Sequence, residues 1–185
     1  MSIGPWRLHQ AVTCLRQGGL IAYPTEAVWG LGCDPFDVRA VQRLLLLKRR
    51  PMHKGLILVA SGLHQLEPLL AGFSAEQRQR LLDTGTQPTT WLLPHRDLIP
   101  GWVTGEHDSV AVRLTRHPLV AALCNHFGGM VVSTSANPSD LRAARSELAV
   151  RCYFRNRVDC YVSGPTQGLA QPSQIIHFHS GERLR

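Results

Sequence analysis

The sequence predicts an α/β fold organised around one mixed sheet, and three observations carry that expectation. Segments with helical spacing of apolar residues alternate with short apolar, strand-like runs for most of the chain. The strand-like runs end in proline, glycine or hydroxyl residues, which punctuate strands. At 185 residues with 44% hydrophobic but only 6% aromatic content, the chain can fill one aliphatic core. No repeat, low-complexity stretch or linker divides it, so residues 1–185 read as a single domain.

The elements follow in order. "PWRLHQAVTCLRQGG" spaces its apolar residues as a helix and stops at a glycine pair. "LIAYPT" is a buried strand closed by proline. "FDVRAVQRLLLLKRRP" is a second helix, with Asp34 as the cap and Pro51 as the break. "GLILVA" is a strand, and "SGLHQLEPLLAG" a helical stretch interrupted by Pro68. "SAEQRQRLLD" opens with Ser74 and Gln77 at capping-box spacing. "TTWLL" and "SVAVRLT" are strands, "HPLVAALCNHFGG" is a helix with a glycine stop, and "MVVSTS" is a strand. An arginine-rich, helix-compatible stretch at 141–157 precedes two last strands, "VDCYV" and "QIIHF".

Composition excludes several classes. No apolar run approaches the roughly 20 residues a membrane span needs. The N-terminus lacks the charged-then-apolar pattern of a leader. The expectation is a cytoplasmic protein. Five cysteines, an odd number without CxxC spacing, suggest neither a disulfide framework nor a zinc site. The formal charge is +7, and of 20 basic residues only Lys48 and Lys54 are lysines. Arginine excess suits phosphate, because the guanidinium fork donates two parallel hydrogen bonds, and it equally suits a plain solubilising surface.

Three stretches concentrate polar chemistry. In "YPTEAVWGLG", Thr25 follows a strand and a proline, so its hydroxyl either projects into a cleft or closes a local turn. "VVSTSANPS" likewise runs a strand into hydroxyls and Asn137. Between them, "KRRPMHK" ends a helix and holds both lysines; an extended exit at Pro51 would let Lys48 and Arg50 reach one anion. Cations at a helix C-terminus also meet the helix dipole favourably. No Walker loop, GxGxxG fingerprint or GxSxG elbow is present, so the usual phosphate cradles and hydrolase nucleophile are missing.

"YPTEAVWGLGCDP", "LKRRP" followed by "KGLILVA", "SVAVRLTRHPLV", "VVSTSAN" and "PSQII" occur in that order. Together they closely resemble the YrdC-like threonylcarbamoyl-adenylate synthases of the bacterial TsaC type, over nearly the whole chain. The family pattern is K-x-R followed far downstream by S-x-N, here Lys48-Arg49-Arg50 and Ser135-Ala136-Asn137. The resemblance implies an open, twisted mixed sheet with flanking helices and a large basic concave cavity. It implies synthesis of threonylcarbamoyl-AMP from L-threonine, bicarbonate or CO2 and ATP, with pyrophosphate released, for threonylcarbamoyladenosine modification of tRNA. ATP is then a substrate, and Mg2+ accompanies it on phosphate oxygens and water. Lys48 and Arg50 become the catalytic cations. Thr25, Arg113, Ser133 and Ser173 become the L-threonine contacts, and Lys48, Ser109, Ser135 and Asn137 the nucleotide contacts. Arg113 retains a structural rival role, pairing on a sheet face.

The chain departs from the family pattern at three places: Gln87-Pro88-Thr89 in "GTQPTTWLL", Pro138-Ser139-Asp140 after Asn137, and Gln174-Ile175-Ile176-His177 after Ser173. These bear on the ATP pocket. A different class of function is a non-catalytic RNA-binding or maturation module, for which "RAARSELAVRCYFRNR" with Tyr153 and Phe154 among arginines would suit. A domain cut from a larger carbamoyl-handling maturation enzyme is weaker, because no zinc-finger or acylphosphatase-like segment accompanies it. Transient contact with the tRNA threonylcarbamoyl-transferase machinery would follow from the product's need for a consumer. His177 and His179 alternate on one strand face, but without further ligands they make no metal site.

Overall fold

Short strands rich in Val, Leu and Ile pair into one eight-stranded sheet in a computed structural model that describes residues 4–83, 87–171 and 173–184. Met1–Ile3, Thr84–Thr86 (the last two in the "GTQP" segment), Pro172 before Ser173, and Arg185 lie outside the described residues. The strands are β1 (Ile21–Pro24), β2 (Trp29–Gly32), β3 (Ile57–Ala60), β4 (Thr89–Pro94), β5 (Ser109–Leu114), β6 (Val131–Ser135), β7 (Cys160–Tyr161) and β8 (Gln174–His177). Their spatial order is β7-β1-β2-β6-β3-β5-β4-β8. The pairs β1–β7, β3–β5 and β4–β8 are parallel and the others antiparallel, so the sheet is mixed.

Among the described residues six α-helices flank it: α1 (Pro5–Arg16), α2 (Val38–Lys48), α3 (Ala75–Leu82), α4 (Gly101–Thr104), α5 (Pro118–Phe127) and α6 (Glu147–Phe154). The helix ends follow capping chemistry. Ser74 and Gln77 form both arms of the expected capping box on α3. Pro118 opens α5 and Gly128 closes it in the left-handed region. The cap of α2 is Asp37 rather than Asp34: the Asp37 carboxylate accepts from the Arg39 and Ala40 N–H groups. Asp34 instead accepts from Phe36 N–H at 2.9 Å in the preceding turn.

Four further expectations change. Residues 61–72 form a single 3-10 turn (Leu63–Gln65) and irregular turns, because Gly62 and Pro68 interrupt the helical bonding. Only Glu147–Phe154 of 141–157 is α-helical. Two elements were not anticipated. The first is α4. The second is β2, whose glycines disguise a strand; a Cβ on Gly32 would lie 2.6 Å from the Val132 carbonyl oxygen and 2.9 Å from the Tyr23 ring, so close packing there demands glycine.

Alternation along the strands divides the core in two. Leu31, Leu58, Val110, Val112 and Val132 point to one face and pack beneath α2 and α6 through Val41, Leu44, Val150 and Phe154. Ile21, Tyr23, Val59 and Val131 point to the other face, where α1 and α5 cover them with Leu8, Val12, Leu15, Leu119 and Leu123. That second cover is partial. The remainder of the second face stays open.

Candidate active site

The uncovered part of the sheet is the floor of a cavity of about 890 Å³. On β5, Ser109, Ala111 and Arg113 alternate onto this face and all line it. Ile57 of β3 and Ser133 of β6, which pair across strands, lie beside them. Gly30 of β2, Ser135 at the end of β6, Leu92 of β4, and Ser173 and Ile175 at β8 complete the floor. Small and polar residues therefore intersperse Ile57, Leu92 and Ile175 here, where the covered part of the same face is mainly aliphatic.

Of the nine residues to which the sequence assigned roles, seven line this one cavity: Thr25, Arg50, Ser109, Arg113, Ser133, Ser135 and Ser173. Thr25 reaches it from the turn between β1 and β2. Its N–H and its hydroxyl both donate to the Val28 carbonyl, at 3.0 and 2.7 Å, so the local-turn role and the cavity position coexist. The hydroxyl proton is engaged, and what Thr25 offers the cavity is an acceptor lone pair. Ser173 is buried, with its hydroxyl 2.8 Å from that of Thr90.

Lys48 and Asn137 do not line the cavity. Helix α2 ends at Arg49 in the left-handed region (φ 52°), before Pro51, and this turn points Lys48 inward. The Lys48 side chain is buried, and its Nζ donates to the carbonyls of Ser135 and, at 2.7 Å, of Asn137. Ser139 N–H in turn donates to the Lys48 carbonyl at 2.7 Å. The two signature triplets are thus hydrogen-bonded to each other behind the cavity wall. Burial, and secondarily the neighbouring Arg50 charge, lower the Lys48 pKa to about 8. Asn137 spends its amide on the carbonyls of Pro138 and Leu141, at 2.9 and 2.7 Å, shaping the same loop.

Arg50 takes the opposite course. Its Nε and Nη2 donate to the carbonyls of Gly55 and Lys54, at 2.8–3.1 Å, and its head lines the cavity. Lys48 and Arg50 therefore do not meet one anion side by side, as an extended exit would have allowed. One stands inside the wall and the other on its surface.

Sequence reasoning missed several lining residues. Lys54, His107, Arg142 and Arg145 join Arg50 and Arg113 around the cavity, and no Asp or Glu lines it among the described residues. Arg142 and Arg145 belong to the arginine-rich stretch considered for RNA. The signal was present in composition, but only the fold separates them from Arg151, which pairs with Glu147 at 2.7 Å and lies over the Tyr161 ring. Arg157 of the same stretch donates to backbone carbonyls of its own helix end. Glu26 was also missed: it is 3% exposed, and its Oε2 lies 3.7 Å from Arg113 Nη2. Among the described residues no group of three or more His, Cys, Asp or Glu could hold a metal ion. Among the described residues no helix is long and apolar enough to cross a membrane.

Known proteins match this arrangement along the whole chain. A threonylcarbamoyl-AMP synthase of Stutzerimonas stutzeri (strain A1501) is 51% identical over 183 residues, covering 99% of this chain and 98% of that protein. One from Cellvibrio japonicus (strain Ueda107) is 50% identical over 184 residues, covering 100% and 97%. The crystal structure of P. abyssi Sua5 complexed with L-threonine superposes with a TM-score of 0.86 at 31% identity, over 96% of this chain and 52% of that one. This chain thus spans about half the length of that solved relative. The family model Sua5/YciO/YrdC, described as telomere recombination, matches residues 13–185. With that match and with relatives half identical from end to end, the chain belongs to the Sua5/YciO/YrdC family.

Proposed function

We propose that this protein, as one domain, is a threonylcarbamoyl-AMP synthase, a nucleotidyltransferase acting on L-threonine, bicarbonate-derived CO2 and ATP. The observation that carries the reading is the convergence of strand and turn hydroxyls with the Arg113 and loop guanidinium groups on one cavity that no Asp or Glu lines among the described residues. The names of the relatives and the threonine-bound neighbour support it.

The chemistry needs little covalent participation by the protein. The threonine amine adds to CO2 with loss of a proton, giving a carbamate. A carbamate oxygen then attacks the α-phosphorus of ATP, the bond to the β-phosphate oxygen breaks, and pyrophosphate leaves. Two anions must meet, which is unfavourable unless fixed cations offset the repulsion. Arg50, on the cavity surface, is suited to the α-phosphate and carbamate. Arg113 is suited to the threonine carboxylate, with Thr25, Ser133 and Ser173 on its amine and hydroxyl. Ser109 and Ser135 are placed for the nucleotide, and Arg142, Arg145 and Lys54 for the departing phosphates. Lys48 acts through the Ser135 and Asn137 carbonyls, holding the S-x-N loop and adding positive charge from behind it. Rate then arises mainly from positioning and charge.

Mg2+ arrives with ATP in this reading, because the described residues of the cavity wall offer hydroxyls and cations rather than Asp or Glu. The product is a reactive mixed anhydride, so a transferase acting on tRNA must consume it. A non-catalytic RNA module is not favoured. The test is pyrophosphate release from the purified protein, expected only when ATP, L-threonine and bicarbonate are all present. Salt-sensitive RNA binding with no turnover would reject the synthase reading.

A further inference from the structure

We propose that Glu26 is a positioning residue that holds the Arg113 guanidinium ready for the substrate carboxylate. This rests on the reading of Arg113 as the group that receives the carboxylate of L-threonine.

The Arg113 backbone is fixed by pairing with Val59 on β3 and Thr90 on β4. Its side chain has several rotatable bonds and enters a cavity otherwise lined by cations, hydroxyls and apolar groups, in which no Asp or Glu among the described residues aims it. Glu26 supplies that anion. A carboxylate this deeply buried persists as an ion only when it is paired and hydrogen-bonded. Its Oε1 accepts from the Thr115 hydroxyl at 2.8 Å and from Arg116 N–H at 3.2 Å. Burial alone would raise its pKa. The Arg113 charge, the Thr115 hydroxyl and the N–H groups of Glu26 and Arg116 outweigh burial and hold it below the ordinary value.

The pair is close but not closed. Oε2 of Glu26 has no hydrogen bond, and neither does Nε of Arg113; their groups approach to 3.7 Å, beyond hydrogen-bond length. A guanidinium has five donors, and Glu26 leaves the fork uncommitted. It attracts Arg113 from behind without filling the face that a second carboxylate would take in a two-point contact. Thr115 fixes Glu26, Glu26 aims Arg113, and Arg113 faces the cavity.

The experiment compares Glu26→Gln, Thr115→Val, Arg113→Ala and the Glu26→Gln/Arg113→Ala double variant. KM for L-threonine, KM for ATP and kcat are read from pyrophosphate release, and circular dichroism checks folding. Glu26→Gln is expected to raise the threonine KM about tenfold, and Thr115→Val less, with the ATP KM unchanged. The double variant should match Arg113→Ala alone, because Glu26 has nothing left to position. An unchanged threonine KM in folded Glu26→Gln, or effects that multiply in the double variant, overturns the inference. If Glu26→Gln does not fold, Thr115→Val decides by the same reading. If Arg113→Ala itself leaves the threonine KM unchanged, the Arg113 assignment fails first and takes the inference with it; an Arg113 effect without a Glu26 effect sinks the inference alone.

Discussion

Two neighbouring cross-strand pairs on one sheet face have different surroundings. Val59 and Val131 pair across β3 and β6 and lie in the core beneath α1 and α5. Ile57 and Ser133, two pairs along the same ladder and about 7 Å away by strand geometry, line the cavity. Neither the backbone pairing nor the face changes between them. What changes is the helical cover, and with it the side chains the face can hold. The core end is sealed by aliphatic packing, whereas the open end leaves hydroxyls and arginines to a polar ligand. Stability and activity should therefore separate along a single strand pair.

The largest expected effect sharpens that separation from the core side. Leu15 is fully buried against the covered end, and Leu15→Ala should cost about 2–5 kcal/mol of unfolding free energy in denaturant titration. Its kcat/KM at a temperature where it remains folded should stay near wild type. Arg50→Ala is the converse. It should lower kcat by about 10²–10³, equivalent to 2.7–4 kcal/mol, with a smaller loss of stability, because Lys54 and Gly55, whose carbonyls lose their donor, line the cavity, where water can reach them. Equal losses of stability and activity in both variants would break the comparison.

Lys48→Ala should fall between the two. It removes the donor from two carbonyls behind the wall, which costs about 1–3 kcal/mol for each group left unsatisfied. Both the melting temperature and kcat are expected to fall, the melting temperature further than in Arg50→Ala. A loss of turnover at wild-type stability would place the ammonium on the substrate side instead.

The smallest effect is a pH dependence. Glu26 is held below the ordinary carboxylate value of 4.5, so it contributes stability that is present above that pH and lost as pH falls through its lower folded value. His117 faces the same pair, and burial lowers its own pKa from 6.5. The informative quantity is therefore the difference between wild type and Glu26→Gln. Their melting temperatures should differ at pH 7 and converge on acidification below about 4.5. A constant difference across that range would show that the Glu26 charge carries no stability.

The hydroxyl-bearing strand ends were legible in the sequence, because short apolar runs closing on Thr25 or Ser133 can be read locally. So was the α3 capping box, which depends on two residues three apart. The destination of Lys48 was not. It depends on a left-handed turn at Arg49, where no glycine announces it, and on carbonyls supplied by β6 and the loop beyond it. Glu26 was illegible for the same reason. Its partners Arg113, Thr115 and Arg116 arrive only when β5 joins the sheet. An acidic residue directly beside Thr25 at a strand end was the one local signal, and it says nothing about which cation it meets. The separation of Arg142 and Arg145 from Arg151 likewise depends on where α6 begins.

The central claim is that the open end of one sheet face holds both substrates at once. A crystal structure of the protein with L-threonine and a non-hydrolysable ATP analogue tests it most directly. The account predicts both molecules in the single cavity, the threonine carboxylate on Arg113 and the α-phosphate against Arg50, with Lys48 still on the Ser135 and Asn137 carbonyls. Threonine or nucleotide bound outside that cavity, with Arg113 and Arg50 untouched, would contradict it.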